Sequence, residues 1–282
     1  MDSAKKGDDT LFVSEKVVFV ELHKTGCTHI RNALKELLGG EFVGKHNQVS
    51  SDLFTKGKIF LGSIRDPWEW YISLWAFGCD NQGGVFNRVT KSNFRGLGWK
   101  NNPYAAFQAF LFSFHRRPKK WKRTYRDVND ASAFREWLYM MHDQEYCHDL
   151  GEGYGTSSLS KIAGLLTYRY MKLFCCKYGE VANMNAISTF DELMEYEKEN
   201  CFIDHFIRNE SLEFTLFKAL ELSEIGISNN AQAKIMSMPR TNTSSRKWAP
   251  TFYYDSDSEN LIFEREKLII EKFGYVAPSL RN

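Results

Sequence analysis

The sequence predicts an α/β fold in which a parallel β-sheet is flanked by helices. Two apolar segments carry this prediction, residues 17–22 (VVFVEL) and 59–64 (IFLGSI), because strands buried on both faces read as continuous apolar runs. A short polar loop and a helical pattern follow each of them. Strands that alternate with helices are typical of parallel sheets, and ligands of such sheets bind beyond the carboxyl ends of the strands.

The first predicted strand leads into a polar loop at residues 23–27 (HKTGC). Thr28 is the expected N-cap of the following helix, because threonine oxygens accept hydrogen bonds from first-turn amides. Apolar residues recur on one face over residues 29–38, and Gly39 and Gly40 are expected to end that helix. The first forty residues therefore predict strand, loop and helix.

The second predicted strand stops at Arg65, and Pro67 fits the first position of a helix. Apolar spacing and turn residues assign the rest of the chain. The further predictions are mainly helix over 104–174, a strand over 202–207, a helix over 211–222, a loop over 228–250 and a helix over 259–273.

Length and charge limit the organisation of the chain and its partners. A chain of 282 residues can bury one large core. We expect a single domain over 1–282, with a flexible N-terminus over 1–14 and a mainly helical insertion over 100–175. The net charge of +2 does not favour a polyanion such as nucleic acid.

Cysteine usage and hydropathy suggest the compartment. None of the six cysteines forms a C-x-x-C pair, so we expect no zinc ribbon, no thioredoxin-like motif and no metal site. Scattered cysteines in a long chain fit reduced thiols in the cytoplasm. The first residues lack the apolar segment of a signal peptide, and no apolar run reaches the length of a membrane span. We expect a soluble cytoplasmic protein without a membrane anchor.

The first polar loop has the chemistry of an anion site. Backbone amides at a helix N-terminus and the helix dipole attract anions, Lys24 adds a full charge, and Thr25 and Thr28 add hydroxyl donors. The loop is not a Walker A motif, because Lys24 comes early and only Gly26 is present. An ordinary strand-to-helix turn with a surface lysine remains the alternative.

The second polar loop adds a candidate phosphate ligand. Arginine binds phosphate oxygens with both ends of its fork, and Arg65 is followed eight residues later by Ser73. A helix that starts at Pro67 places Ser73 on its second turn. The alternative is that Arg65 and Asp66 only cap this helix and pair with each other.

Together these loops resemble the nucleotide motifs of the PAPS-dependent sulfotransferases, enzymes whose donor is 3′-phosphoadenosine 5′-phosphosulfate. The family's 5′-phosphosulfate loop reads P-K-x-G-[GST]-[ST], and HKTGCT at 23–28 is similar to it. Its 3′-phosphate motif reads R-[DN]-P with a serine eight residues after the arginine, as here. The segment 206–212 (FIRNESL) resembles the family's strand followed by E-x-L. Asn242, Ser244 and the segments 253–255 (YYD) and 273–275 (FGY) resemble the carbohydrate-type branch. Two departures are His23 in place of the proline and Cys27 in place of a small or hydroxylated residue.

The resemblance implies a P-loop-like sulfotransferase fold and a role for each motif residue. Lys24 would contact the bridging or leaving oxygen of PAPS. Arg65 and Ser73 would hold the 3′-phosphate. Cys27 would donate weakly to the sulfate or only pack, and we favour packing. The remaining nucleotide ligands would be Thr25, Gly26, Thr28 and His29 on the 5′-phosphate, with Arg246 and Lys247 closing over the nucleotide.

The reaction needs an acceptor and a base. Sulfuryl transfer to a hydroxyl or amine releases PAP, the desulfated nucleotide, and an acceptor hydroxyl must lose its proton. His46 is the candidate base, because it resembles a basic-residue–histidine pair after the first helix of carbohydrate-type members. His23, Glu21 and Glu41 are the alternatives. We expect a small-molecule acceptor, such as a natural product or a glycoside.

Two other functions stay open from the sequence. A P-loop kinase-like phosphotransferase would need a Walker lysine and magnesium ligands, and we find neither. A non-catalytic nucleotide- or polyanion-binding module would keep the anion site without a base. The basic run 116–126 (RRPKKWKRTYR) would suit a polyanion, although charge runs are usually solvated helix faces. The sequence does not indicate an oligomeric state.

Overall fold

The chain forms an α/β structure with a mixed five-stranded sheet flanked by helices. The structure is a computed structural model, and it describes residues 11–43, 49–54, 57–91, 117–177, 180–239 and 248–281. The strands lie in the order β3-β1-β2-β4-β5. Their bounds are β1 (Leu11–Val13), β2 (Val17–Val20), β3 (Glu41–Val43), β4 (Ile59–Ile64) and β5 (His205–Arg208).

The parallel part of the sheet agrees with the prediction, and two edge-side strands add an antiparallel part. β2 pairs with β4 and β4 pairs with β5 in parallel. β1 runs antiparallel to both β2 and β3. The sequence did not indicate β1 and β3, because three-residue strands carry too little pattern and form only by pairing with a neighbour.

The expectation of a flexible segment over 1–14 is wrong for its last residues. Leu11 and Phe12 are buried within β1, and Phe12 pairs with Phe19 of β2. Ser14 accepts a hydrogen bond from the Val17 amide at 3.0 Å, which fixes the turn between the two strands. Residues 1–10 lie outside the described residues.

Helices occupy most of the remaining described chain. In chain order they are α1 (Cys27–Leu38), α2 (Ser51–Phe54), α3 (Pro67–Cys79), α4 (Gly84–Thr90), α5 (Pro118–Arg123), α6 (Ala131–His142), α7 (Leu159–Ile162), α8 (Leu165–Phe174), α9 (Val181–Ala186), α10 (Phe190–Asn200), α11 (Leu212–Leu222), α12 (Asn229–Met236), α13 (Pro250–Tyr253), α14 (Ser256–Arg265) and α15 (Lys267–Phe273).

Several predicted boundaries need correction. The N-cap of α1 is Gly26 and not Thr28, because the helix begins earlier, at Cys27. Part of the predicted loop 228–250 is α12, whose N-cap Ser228 accepts from the Ala231 amide. The predicted final helix over 259–273 is two helices, α14 and α15, which break at Glu266.

The described residues divide into two compact units. The first unit comprises residues within 1–66 and 169–243, and the second comprises residues within 67–168 and 244–282. One domain over 1–282 stays a prediction, as does the insertion 100–175, whose described part from residue 117 onward contains α5 to α8.

Each unit has its own buried core. In the first unit, Leu34 of α1 and Leu216 of α11 belong to the same buried apolar cluster as Phe19 of the sheet strand β2. In the second unit the core is aromatic, with ring centroids 5.3 Å apart for Trp75 and Phe134. In the described ranges, no helix combines the length and the apolar character needed to cross a membrane.

Candidate anion-binding site at the ends of three parallel strands

The carboxyl ends of β2, β4 and β5 lie side by side in the first unit, because these strands are neighbours and parallel. The loop 21–26 follows β2, Arg65 and Asp66 follow β4, and Asn209 and Glu210 follow β5. In an α/β sheet, this edge is where ligands bind. We call the residues of these three connections the strand-end site.

The loop after β2 contains two residues with a left-handed backbone. Lys24 (φ 68°) and Gly26 (φ 86°) both have positive φ, and alternation of left-handed and ordinary residues builds concave groups of N–H donors. Gly26 is also sterically required, since a Cβ there would lie 2.7 Å from Leu212 and 2.9 Å from Asn209. The loop geometry therefore depends on glycine at residue 26.

The side chain of Thr25 supports this loop from inside the protein. It is fully buried, its hydroxyl donates to the Leu22 carbonyl at 2.5 Å, and it lies 2.6 Å from the Ser63 hydroxyl on β4. The expected role of the Thr25 hydroxyl on the 5′-phosphate is corrected accordingly, because this hydroxyl is already bonded within the protein. The amide of Thr25 stays in the predicted set of anion ligands.

Cys27 also faces the protein. Its thiol donates to the Leu22 carbonyl at 2.7 Å. Burial, and then the neighbouring Glu21 carboxylate, raises the pKa of the Cys27 thiol to about 11, so the group stays neutral near pH 7. This geometry favours the packing role over donation to a sulfate.

The N-terminus of α1 begins directly behind the loop. Its N-cap, Gly26, has no side chain to accept from the first-turn amides. The positive end of the helix dipole is therefore not offset by an N-cap side chain, which suits an anion. Thr28 is half-buried in this first turn.

His29 is engaged within the first unit. Its amide donates to the Gly26 carbonyl at 3.0 Å, and its buried ring lies 3.4 Å from the Glu213 carboxylate of α11. Both the amide and the ring of His29 therefore face protein atoms, which does not favour the predicted contact with the 5′-phosphate, and this contact stays a prediction.

Arg65 joins the two predicted nucleotide motifs. Its guanidinium Nη1 donates to the Lys24 carbonyl at 3.3 Å. The neighbouring Asp66 amide donates to Glu210 Oε1 at 2.6 Å, which ties the end of β4 to the segment after β5. The strand-end site thus combines two basic residues, an N-terminal helix dipole and a loop whose shape requires glycine at residue 26.

Three predicted residues lie outside the described residues, and one belongs to the second unit. His46, Arg246 and Lys247 are the three outside. Ser73 is buried on the second turn of α3, as the sequence predicted for a helix that starts at Pro67.

The alternative bases have different surroundings. Glu21 is buried and pairs with Arg31 at 3.3 Å. His23 is half-buried in the loop, and Glu41 is exposed in β3. Of the three, His23 lies nearest in sequence to Lys24.

In the described part of the basic run, which begins at residue 117, two arginines form ion pairs and two aromatic residues are buried. Arg117 pairs with Glu145 and Arg123 pairs with Glu136. Trp121 and Tyr125 are buried, so their rings are not surfaces on which nucleotide bases stack. This geometry gives no support to a nucleic-acid surface over 117–126.

Sequence reasoning did not assign roles to Ser63, Asn209 and Glu210. Ser63 holds Thr25, the Asn209 side chain limits the space at Gly26, and Glu210 holds the Asp66 amide. Asn209 and Glu210 belong to the segment 206–212, which resembles the sulfotransferase pattern. The contact between Glu210 and Asp66 joins residues 144 positions apart, so no local pattern could reveal it.

Comparisons with protein-family models, with curated proteins and with solved structures found no match to this chain. Function is therefore argued from the residues and the geometry of the strand-end site.

Proposed function

We propose that this chain is a PAPS-dependent sulfotransferase that moves a sulfuryl group to a hydroxyl or amine of a small acceptor and releases PAP. The observation that supports this proposal most directly is the hydrogen bond from Arg65 to the Lys24 carbonyl at 3.3 Å. Two motifs that are 41 residues apart in the chain thereby meet at adjacent strand ends. PAPS carries phosphates at its 5′ and 3′ positions, and the two motifs would bind one each.

The charge at the strand-end site supports a doubly anionic nucleotide. Arg65 donates to the Lys24 carbonyl in the loop before α1, and in our proposal both side chains direct their positive charges to the nucleotide. Charge-assisted hydrogen bonds to phosphate are each worth about 1.5–3 kcal/mol. In our proposal the amides of Thr25, Gly26 and Thr28 hold the 5′-phosphosulfate.

The proposed mechanism is in-line transfer. As the sulfur leaves PAPS, negative charge grows on the bridging oxygen, and a positioned cation stabilises that charge. Lys24 takes this role in our proposal, because its left-handed backbone places it at the turn of the loop. The base is proposed from the sequence alone as His46, and Ser73 is proposed on the same ground as a second ligand of the 3′-phosphate.

The acceptor is proposed as a natural product or a glycoside, because the sequence resembles the carbohydrate-type branch. A P-loop kinase-like phosphotransferase gains no support, since the loop 23–28 places its lysine at the strand end and not before the helix.

Calorimetric titration with two nucleotides tests this proposal. PAP carries a 3′-phosphate, whereas adenosine 5′-monophosphate lacks it. We expect wild type to bind PAP at least 10-fold more tightly than the monophosphate, which corresponds to about 1.4 kcal/mol. Arg65→Ala should remove most of this preference, whereas Lys24→Ala should weaken both nucleotides.

Two control variants distinguish the loss of a ligand residue from the loss of one positive charge elsewhere on the protein. Lys218→Ala and Arg126→Ala remove exposed basic residues that belong to none of the three strand-end connections and should leave both affinities within a factor of two. If folded wild type binds neither nucleotide, or if Arg65→Ala keeps the preference for PAP, the proposal is wrong. If both nucleotides bind as expected but Lys24→Ala and His46→Ala leave the only measurable function of the protein unchanged, a non-catalytic nucleotide- or polyanion-binding module is the better account.

A further inference from the structure

Two cysteines and a glutamate converge in the first unit, away from the strand ends. Cys175 follows the last residue of α8, and Glu197 and Cys201 lie at the end of α10. Glu197 and Cys201 are four residues apart, a spacing that puts side chains on the same side of a helix. The Phe202 amide donates to the Phe174 carbonyl at 3.1 Å, which holds the two helix ends together.

The distances suit one bound cation. The two sulfurs and a carboxylate oxygen of Glu197 all lie within 4.8 Å of one another. Two sulfurs bound to one tetrahedral zinc ion, each at about 2.3 Å, are about 3.8 Å apart. Small side-chain rotations would therefore bring all three ligand atoms to bonding distance.

A hydrogen bond orients the carboxylate of this cluster. Tyr170 donates to Glu197 Oε1 at 2.7 Å, and its hydroxyl lies 3.5 Å from the Cys201 sulfur. Carboxylates that bind metals are typically held in this way by a neighbouring donor. Cys175 and Glu197 are buried, while Cys201 is partly exposed and gives an ion and a water molecule access.

We propose that Cys175, Glu197 and Cys201 bind one thiophilic divalent cation, with zinc as the best fit, and that a water molecule is its fourth ligand. Two thiolates with one carboxylate select soft or borderline metals over magnesium and calcium. Binding would displace one proton from each thiol, so both sulfurs become thiolates and two protons are released. The sequence predicts no metal site here, because these ligands form no C-x-x-C pair.

The position of the cluster gives the ion a structural role. Cys201 lies just before β5, and the Asp204 carboxylate in between accepts from the Phe60 amide of β4 at 2.7 Å. An ion here would fasten the ends of α8 and α10 to the start of a sheet strand. It would stabilise the first unit through ligands that are separate from the strand-end site.

Buried thiols of this kind are hard to ionise without a cation. Burial, followed by the neighbouring Cys201 thiol and the Glu197 carboxylate, raises the pKa of the Cys175 thiol well above its usual value. A metal reverses this preference by replacing the proton, so binding should strengthen as pH rises.

Cobalt titration of the reduced, chelator-treated chain tests the proposal, because cobalt reports thiolate ligands through a sulfur-to-metal charge-transfer band. We expect the band to saturate at one equivalent of cobalt and zinc to displace it. Cys201→Ser and Cys175→Ser should reduce or abolish the band. Glu197→Gln, which keeps both sulfurs, should keep the band and weaken cobalt binding at least 10-fold.

Two comparisons guard against misfolding and unrelated thiols. Cys79→Ser changes a half-buried cysteine outside the cluster and should titrate like wild type. At one zinc concentration, zinc should raise the melting temperature of wild type and of Cys79→Ser more than that of Glu197→Gln, which binds the ion more weakly. The proposal is overturned if folded wild type shows no charge-transfer band, if Glu197→Gln binds as tightly as wild type, or if the chain purified without reductant contains a Cys175–Cys201 disulfide.

Discussion

The N-termini of α1 and α8 differ in the side chains that lie beside their first-turn amides. At α8, the Leu165 amide donates to Tyr71, and the Leu166 and Thr167 amides donate to the buried carboxylate of Glu266 at 3.3 and 2.8 Å. At α1 the N-cap is Gly26, which offers no acceptor side chain. The protein supplies its own acceptor, a carboxyl group, to the amides of α8, whereas the N-cap of α1 supplies none, which suits an anion from outside.

The N-terminus of α8 is satisfied by the protein itself, whereas the N-terminus of α1 is the proposed binding site. The Glu266 carboxylate also accepts from the hydroxyls of Thr167 at 2.6 Å and Tyr71 at 2.5 Å. Four protein donors thus surround one buried carboxylate, and a ligand has no role there. The loop before α1 directs the side chains of Thr25 and Cys27 into the protein.

The largest expected effect comes from removing the internal anion of α8. Glu266→Ala would leave several buried donors without an acceptor, and we expect the free energy of unfolding to fall by about 4 kcal/mol. Urea unfolding measures this change. Glu264→Ala, an exposed glutamate on the neighbouring helix, should change stability by less than about 0.5 kcal/mol. Equal effects in the two variants would contradict the assignment.

The second effect is a pH dependence of stability. Burial raises the pKa of Glu266 from 4.5 to about 7, although its hydrogen bonds from Thr167 and Tyr71 lower it. The folded chain therefore holds this proton more tightly than the unfolded chain. The contribution of Glu266 protonation to the free energy of unfolding is fully present below about pH 4.5 and is lost as pH rises through about 7. This change amounts to up to about 3 kcal/mol.

Urea unfolding of wild type and Glu266→Gln between pH 5 and 8 measures this contribution. The difference in stability between the two proteins should shift against wild type as pH rises. Burial lowers the pKa of His142 well below 6.5, so His142 makes the free energy of unfolding rise with pH. This effect is the same in both proteins and therefore cancels in the difference between them. A difference that stays constant across the range would contradict the raised pKa of Glu266.

The third effect tests the loop before α1. Gly26→Ala would place a Cβ 2.7 Å from Leu212 at a positive φ, and we expect a loss of about 2 kcal/mol in stability together with loss of PAP binding. Gly39→Ala is the matched control, since its φ is also positive but its Cβ would meet no atom within 4 Å. It should lose about 1 kcal/mol and bind PAP normally. Normal PAP binding by Gly26→Ala would argue against the loop as the nucleotide site.

The sequence predicted the elements that local patterns specify. The β-branched run at 17–20 and the proline at the start of α3 are strong local signals, and both elements lie where expected. Arg65 and Lys24 were expected at neighbouring strand ends because parallel strands align their carboxyl ends.

Contacts between distant residues escaped the sequence analysis. Tyr71 and Glu266 are 195 residues apart, and no spacing rule connects them. Thr25 was assigned to a ligand because its hydroxyl fits a phosphate, and only the position of Ser63 shows that this hydroxyl faces inward. β1 depends on pairing with β2 and β3, which is a tertiary effect and not a local preference.

Hydrogen–deuterium exchange with and without saturating PAP tests the contrast between the two helix N-termini most directly. We expect PAP to slow exchange in peptides that cover residues 23–30, where the amides are proposed to bind the 5′-phosphate. Peptides that cover residues 164–168 should exchange at the same rate in both conditions, because Glu266 and Tyr71 already hold those amides. Unchanged exchange over 23–30 at saturating PAP would contradict the account.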